Sequence, residues 1–214
     1  MKKILVFLAA ALLTFSCGQS LIDAPADLKI EYGSTVLDVS LPRFSWIIQD
    51  DSRGAVQTAY QIIVATDVTL LTEKKADTWN SGKIESDQSV FVEYYGEIPD
   101  PGKRYYWTVK VWNAFDEASA WTSPAFFDVG LLNPDLWKAQ WVGCNESIAD
   151  ADSLRPKSIY LRNEFQLENN IRSAKLYASG LGSYQFFLNG EKVSDDLLTP
   201  GWTDYPSRIQ YQVY

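Results

Sequence analysis

The sequence has no histidine among its 214 residues, and it has only two cysteines. A chain without histidine lacks the commonest general base near neutral pH, the Ser-His-Asp arrangement and the usual imidazole ligand of metal sites. Any chemistry in this chain would therefore depend on carboxylates, lysine, tyrosine or a single thiol.

Long runs of one charge sign are also absent. The chain has 19 basic and 27 acidic residues, a formal net charge of −8 and a pI near 4.6. Such a charge disfavours nucleic acid and anionic membrane surfaces as partners, so we expect a neutral ligand or another protein surface. A hydrophobic content of 46%, with 14% aromatic residues, is enough to build packed cores, and the length favours two small domains.

The N-terminus has the layout of a secretory signal peptide. Lys2 and Lys3 precede the apolar run Ile4 to Leu13, which is too short to span a bilayer. Small or polar residues follow the run, as they do at a cleavage site. We therefore expect residues 1–17 to direct export.

Cys17 ends the stretch LLTFSC at 12–17, which resembles a lipobox apart from the bulky Phe15. This resemblance predicts cleavage before Cys17, lipidation of its thiol and a membrane partner reached through the lipid. The expected location is then the cell envelope, as a lipoprotein of the periplasm or of the outer-membrane surface. The alternative is an ordinary signal peptide. A lipidated Cys17 leaves Cys144 without a disulfide partner, as a small buried side chain.

Residues 18–26 are predicted to form a tether, and residues 27–130 a β-domain. Apolar and polar side chains alternate with the period of two that is typical of half-buried strands. About seven short strands and no helical period favour an antiparallel β-sandwich. The predicted inward-facing sets are Phe44, Trp46 and Ile48; Tyr60, Ile62 and Val64; and Tyr105, Trp107, Val109 and Val111.

Residues 131–158 are predicted to be a connector and a polar loop, and residues 159–214 a second β-domain. In this domain alternation predicts a strand over Ile159 to Leu167 and two more around Ala178 and Phe186. Asn189-Gly190 predicts a type I′ hairpin, because both positions tolerate positive φ.

Several motifs resemble, in order, the N-terminal region of bacterial α-L-rhamnosidases. They are WKAQWVG at 137–143, LYASGLGSY at 176–184, LNGEKV at 188–193 and PGWTDY at 200–205. The first domain is similar to a fibronectin type III domain, with Trp46 under the strand from Tyr105 to Val111. The resemblance implies an all-β chain: an antiparallel fibronectin type III-like sandwich followed by an incomplete jelly-roll β-sandwich.

The resemblance also implies a function. The chain is expected to be the N-terminal fragment of a secreted glycosidase that releases terminal rhamnose from glycans, supplying anchoring, spacing and substrate recognition. The family's catalytic α-helical barrel is not among the motifs found here, so this chain alone is expected to be inactive. The alternative is a free-standing carbohydrate-binding or docking lipoprotein. Four or five predicted strands, against about eight in a jelly roll, favour a truncated chain.

Within the second domain, Trp202 offers a stacking face for a sugar, and Asp204, Asn189 and Tyr205 offer hydrogen bonds. The competing interpretation is that Trp202 fills the end of the sandwich and Asn189 serves only its turn. These four residues are the predicted carbohydrate-binding set.

Acidic residues on nearby turns raise two further hypotheses, calcium binding and glycoside hydrolysis. A calcium site could draw on Asp195, Asp196 or Asp204, although their spacing lacks an EF-hand pattern. Paired carboxylates also perform glycoside hydrolysis, but solvated acids on turns are far commoner, so no catalytic residue and no required cofactor is predicted.

Overall fold

The computed structural model describes residues 22–33, 36–50, 52–143, 158–167, 170–171 and 173–214. The predictions for the signal peptide, Cys17 and Cys144 lie outside these ranges. The chain divides into two compact units, Met1–Val129 and Gly130–Tyr214. Across the described ranges the regular elements are strands and two short 3-10 helices, with no α-helix, which confirms the all-β prediction.

The first unit contains two sheets. Its strands are β1 (Ala26–Ile30), β2 (Val36–Leu37), β3 (Arg43–Ile47), β4 (Gln57–Ala65), β5 (Trp79–Asn80), β6 (Ile84–Glu85), β7 (Val92–Glu93), β8 (Arg104–Asn113) and β9 (Ala125–Val129), with a 3-10 helix at Val68–Leu70. One sheet has the order β1-β3-β7, and the other has the order β2-β9-β8-β4-β5 with β6 also paired to β4. The ladder between β2 and β9 is parallel, and the other ladders are antiparallel.

The two sheets pack through an aromatic core. Phe44 of β3 lies 4.7 Å from Trp107 of β8 and 6.3 Å from Phe127 of β9, measured between ring centroids. All three side chains are fully buried. The predicted inward sets are buried as well, except that Ile48 follows the end of β3 and is only half-buried. The predicted β-sandwich is therefore confirmed.

Strand β4 is buried at all but one of its nine residues, and it lies inside the larger sheet with β8 on one side and β5 and β6 on the other. Its first residue, Gln57, accepts a hydrogen bond from Trp46 Nε1 at 2.9 Å and donates to the carbonyls of Ser86 and Gln88. These bonds satisfy polar groups that burial would otherwise leave without partners.

The second unit has shorter strands: β10 (Tyr177–Ser179), β11 (Phe187–Leu188), β12 (Glu191–Lys192) and β13 (Tyr211–Val213), with a 3-10 helix at Pro134–Leu136. β10 pairs with β13, and β11 pairs with β12, both antiparallel. Asn189 and Gly190 join β11 to β12 with φ values of +51° and +87°. Positive φ at both positions confirms the predicted type I′ hairpin.

The strand predicted over Ile159 to Leu167 is wrong. Residues 158–167 form no strand, and the side chains of Leu161 and Phe165 are exposed rather than inward. Alternation identifies the face that a strand would bury, but a strand also needs a ladder partner, and no described residue pairs with this segment. In the next predicted strands only Ala178 is buried, and Phe186 is 37% exposed.

Candidate functional site

The turn after β12 carries three of the four predicted carbohydrate-binding residues. The amide of Gly201 donates to the carbonyl of Leu198 at 3.1 Å, which closes the bend before Trp202. The chain then runs through Trp202, Asp204 and Tyr205 before it enters β13. We call residues 198–208 the Trp202 turn.

Trp202 projects from this turn into solvent, with 91% of its surface exposed. Its ring lies 6.3 Å from the ring of Tyr205, and the two planes differ by only 13°. Among the described residues Trp202 therefore lies in no core. The two nearly parallel rings form an exposed aromatic surface on which a ligand could stack.

Asp204 organises the second half of the turn. Its carbonyl accepts hydrogen bonds from the amides of Ser207 and Arg208, both at 2.8 Å, and its carboxylate Oδ2 accepts from Ser207 Oγ at 2.7 Å. Thr203 Oγ1 donates to the carbonyl of Arg208 at 2.5 Å. Oδ1 of Asp204 takes part in none of these bonds, so an exposed acceptor stands two residues from the Trp202 ring.

Ser207 is a residue of the site that the sequence interpretation missed. An acidic residue followed three positions later by serine is the available signal, because such side chains hydrogen-bond within a turn. Asn189, by contrast, is exposed in the β11–β12 hairpin. Within the described residues no hydrogen bond or ring contact joins it to Trp202, Asp204 or Tyr205. The structure therefore brings together three of the four predicted residues.

The acids proposed for calcium do not gather around one point. Asp195 is fully exposed and lies 3.7 Å from Lys192 Nζ, and the amide of Asp196 donates to Ser194 Oγ. Over the described ranges no group of three or more histidine, cysteine, aspartate or glutamate residues could hold a metal ion. The calcium hypothesis therefore gains no support from these residues. The same ranges contain no helix long and apolar enough to cross a membrane.

Fold and turn together define a class: an all-β protein made of a β-sandwich unit and a second unit with an exposed aromatic turn. Comparison with known families makes this specific. The family described as "Rha78A-like, N-terminal immunoglobulin domain" matches residues 25–133, which is more than half of the chain. The family "Alpha-L-rhamnosidase N-terminal domain" matches residues 169–214. The chain thus belongs to the α-L-rhamnosidase family, of which it represents the N-terminal region.

Individual relatives agree with this assignment. An α-L-rhamnosidase of Formosa agariphila is 34% identical over 238 residues, a match that covers all of this chain and 25% of the relative. The structure of the α-L-rhamnosidase from Dictyoglumus thermophilum is 30% identical with a TM-score of 0.78, over 92% of this chain and 24% of that one. The Streptomyces avermitilis α-L-rhamnosidase complexed with L-rhamnose is 35% identical with a TM-score of 0.55, over 58% of this chain and 12% of that one. The chain therefore spans about a quarter of the length of the first of these relatives.

Proposed function

We propose that this chain is the anchoring and glycan-recognising part of a secreted α-L-rhamnosidase, and that the longer protein releases terminal rhamnose with catalytic groups outside this region. The exposure of Trp202, with Tyr205 nearly parallel to it, is the observation that carries the recognition role. A tryptophan that is 91% exposed adds nothing to the core formed by the described residues. Its position next to an exposed carboxylate suits a ligand that has both an apolar face and hydroxyl groups.

Rhamnose meets both requirements. The C–H groups and the methyl group of this sugar can lie against the indole ring, and the hydroxyl groups can donate to Oδ1 of Asp204. Rhamnose is uncharged, which agrees with a chain whose net charge of −8 would repel anionic ligands. In this proposal Asn189 serves its hairpin and makes no contact with the sugar.

Calorimetric titration of the 214-residue chain with a rhamnose-terminated oligosaccharide tests the recognition role. We expect Trp202→Ala to weaken binding by roughly tenfold or more, since a lost stacking contact of about 1.4 kcal/mol corresponds to that factor. Trp141→Ala is the matched control, because Trp141 is also exposed (62%) and belongs to the same unit. Equal affinities for the parent chain and the Trp202 variant would refute the role of this ring.

We also propose that Cys17 carries a lipid that tethers the mature protein to the cell envelope. Support comes from the sequence alone: the basic and apolar segments before Cys17 and the lipobox-like residues 12–17. Mass spectrometry of the protein exported by a bacterial host should show a mature chain that begins at acylated Cys17. Cys17→Ser should abolish the added mass and move the protein from the membrane fraction to the soluble fraction. A mature N-terminus at another position would reject the anchor.

A further inference from the structure

A second cluster of aromatic and charged side chains lies in the first unit, at one end of the three-stranded sheet. Glu31 and Tyr32 directly follow β1, Arg43 begins β3, and Phe91 directly precedes β7. The ladders of β3 with β1 and with β7 bring these positions together. We call Glu31, Tyr32, Arg43 and Phe91 the Arg43 cluster.

Arg43 is held in place by Glu31. Its Nε lies 3.3 and 3.1 Å from the two carboxylate oxygens, and its Nη2 lies 2.6 Å from Oε2. Two further hydrogen bonds involve backbone groups of the same residues. Arg43 N donates to Glu31 Oε1 at 2.8 Å, and Glu31 N donates to the carbonyl of Arg43 at 2.9 Å. Hydrogen bonding to Glu31, and then to Tyr32, raises the pKa of Arg43 above its usual value. Nη1 takes part in none of the bonds to Glu31, so its N–H groups are left for Tyr32 or for a ligand.

The fixed guanidinium supports two aromatic rings. Its carbon lies 4.6 Å from the centroid of the Phe91 ring and 5.9 Å from that of Tyr32. The two rings are 5.4 Å apart and meet edge to face at 66°. Tyr32 nevertheless remains 85% exposed. A side chain that is already positioned by its neighbours loses little further freedom when it binds a ligand, so it presents a preorganised surface.

The backbone of the cluster is strained at two positions. Glu31 has a φ of +50° and Phe91 a φ of +52°, in the left-handed region that non-glycine residues avoid. Strain of this kind concentrates at ligand-binding and active sites. One of the two strained residues is Phe91 itself and the other is the neighbour of Tyr32, and both rings lie beside Arg43 in contact with each other.

The charges of the cluster select the ligand. Glu31 neutralises Arg43, so neither an anion nor a metal ion meets an unopposed charge there, and the net charge of −8 disfavours anions further. The exposed Tyr32 ring beside the guanidinium of Arg43 suits a small neutral ligand with an apolar face and hydroxyl groups.

We propose that the Arg43 cluster is a second saccharide-binding site, in which a neutral sugar ring lies against Tyr32 and a sugar hydroxyl accepts a hydrogen bond from Nη1 of Arg43. This site is separate from the Trp202 turn and does not depend on the function proposed for that turn. It gives the first unit a binding role in addition to that of a spacer.

Nuclear magnetic resonance titration of the ¹⁵N-labelled 214-residue chain tests the proposal. The probes are methyl α-L-rhamnoside and neutral oligosaccharides of glucose, galactose, mannose, xylose and arabinose. At least one probe should shift the amides of residues 31–33, 43 and 91 in a saturable manner. Tyr32→Ala should weaken that response by roughly tenfold, whereas Tyr32→Phe should retain it because the ring is kept.

Tyr95→Ala is the matched control, since Tyr95 is also an exposed tyrosine (75%) of the first unit, and this variant should bind as the parent chain does. The proposal fails if no probe shifts these amides, or if Tyr32→Ala and Tyr95→Ala weaken the response equally. It also fails if Tyr32→Ala changes only self-association in sedimentation, because the cluster is then a protein contact. Shifts confined to residues 198–208 would support the Trp202 turn and reject this second site.

Discussion

At the scale of single residues, Gly96 shows how tightly the sandwich is packed around Tyr94. A Cβ atom on residue 96 would lie 2.3 Å from Tyr94 Oη and 2.4 Å from its Cζ, far inside van der Waals contact. Tyr94 cannot easily move away, because its ring is buried and its hydroxyl donates to the carbonyl of Glu97 at 2.8 Å. We therefore expect Gly96→Ala to lower the free energy of unfolding by about 1–3 kcal/mol, as overpacking does.

Urea denaturation followed by tryptophan fluorescence measures this loss. Gly143→Ala is the control, because a Cβ at that position meets no heavy atom within 4 Å, and its effect should stay within about 0.5 kcal/mol. Equal stabilities for the two variants would show that the Tyr94 ring can shift at little cost.

Tyr94 also predicts a pH dependence of stability. Burial raises the pKa of its hydroxyl from 10.0 to about 12. The folded state therefore keeps the proton more tightly than the unfolded state, so this contribution is complete below pH 10 and is lost as the pH rises from about 10 to about 12. Tyr94→Phe cannot ionise, and its unfolding free energy should fall less steeply over that interval. Parallel pH profiles for the parent and the variant would contradict the raised pKa.

Some side-chain positions could be predicted from the sequence and others could not. Phe44 and Trp46 were placed in the core correctly, because each belongs to a run with a period of two. Trp202 sits in a turn that has no period, so the sequence left its burial open between a core plug and an exposed platform. Its 91% exposure follows from the path of the turn, which depends on the bonds of Leu198, Gly201 and Asp204. The ion pair between Arg43 and Glu31 could not be predicted from the sequence either, because the two residues are 12 positions apart.

Among the elements, the longer strands of the first unit were predictable from the sequence. Their apolar side chains follow a strand pattern, and they form long antiparallel ladders or occupy a central position in the sheet. These strands are β3, β4, β8 and β9. Two features were not predictable: the two-residue strands β5 and β6, which are too short to show a period, and the parallel ladder between β2 and β9, which joins distant segments. The strand predicted at 159–167 was wrong for the opposite reason: its side chains alternate clearly, but no described residue forms a ladder with it.

The β11–β12 hairpin gives a prediction at this scale. Gly190→Val should disrupt it, because a β-branched residue is strongly disfavoured at a φ of +87°. Asn189→Gly should preserve it, since glycine accepts the φ of +51° at that position. Amide hydrogen exchange of Phe187 to Lys192 should be faster in the first variant and unchanged in the second.

The same pair of variants separates the turn role of Asn189 from a ligand role. If Asn189 only shapes the hairpin, Asn189→Gly binds the rhamnose-terminated oligosaccharide as tightly as the parent chain. A clear loss of affinity with the hairpin intact would instead return Asn189 to the binding set.

At the scale of the whole molecule, the chain is the N-terminal, all-β region of the α-L-rhamnosidase family. Its net charge of −8 suits contact with neutral glycans better than contact with polyanions. In the proposed arrangement the two units recognise the glycan at separate sites, while the rest of the longer protein performs the hydrolysis. We therefore expect this region to bind the glycan without hydrolysing it.

One titration tests whether this region binds the sugar without hydrolysing it. Methyl α-L-rhamnoside is added to the purified 214-residue chain, and nuclear magnetic resonance follows both the indole N–H of Trp202, assigned through Trp202→Phe, and the anomeric signal of the sugar. We expect a saturable shift of the Trp202 signal while the rhamnoside stays intact. An unshifted Trp202 signal, or the accumulation of free rhamnose, would refute binding without hydrolysis.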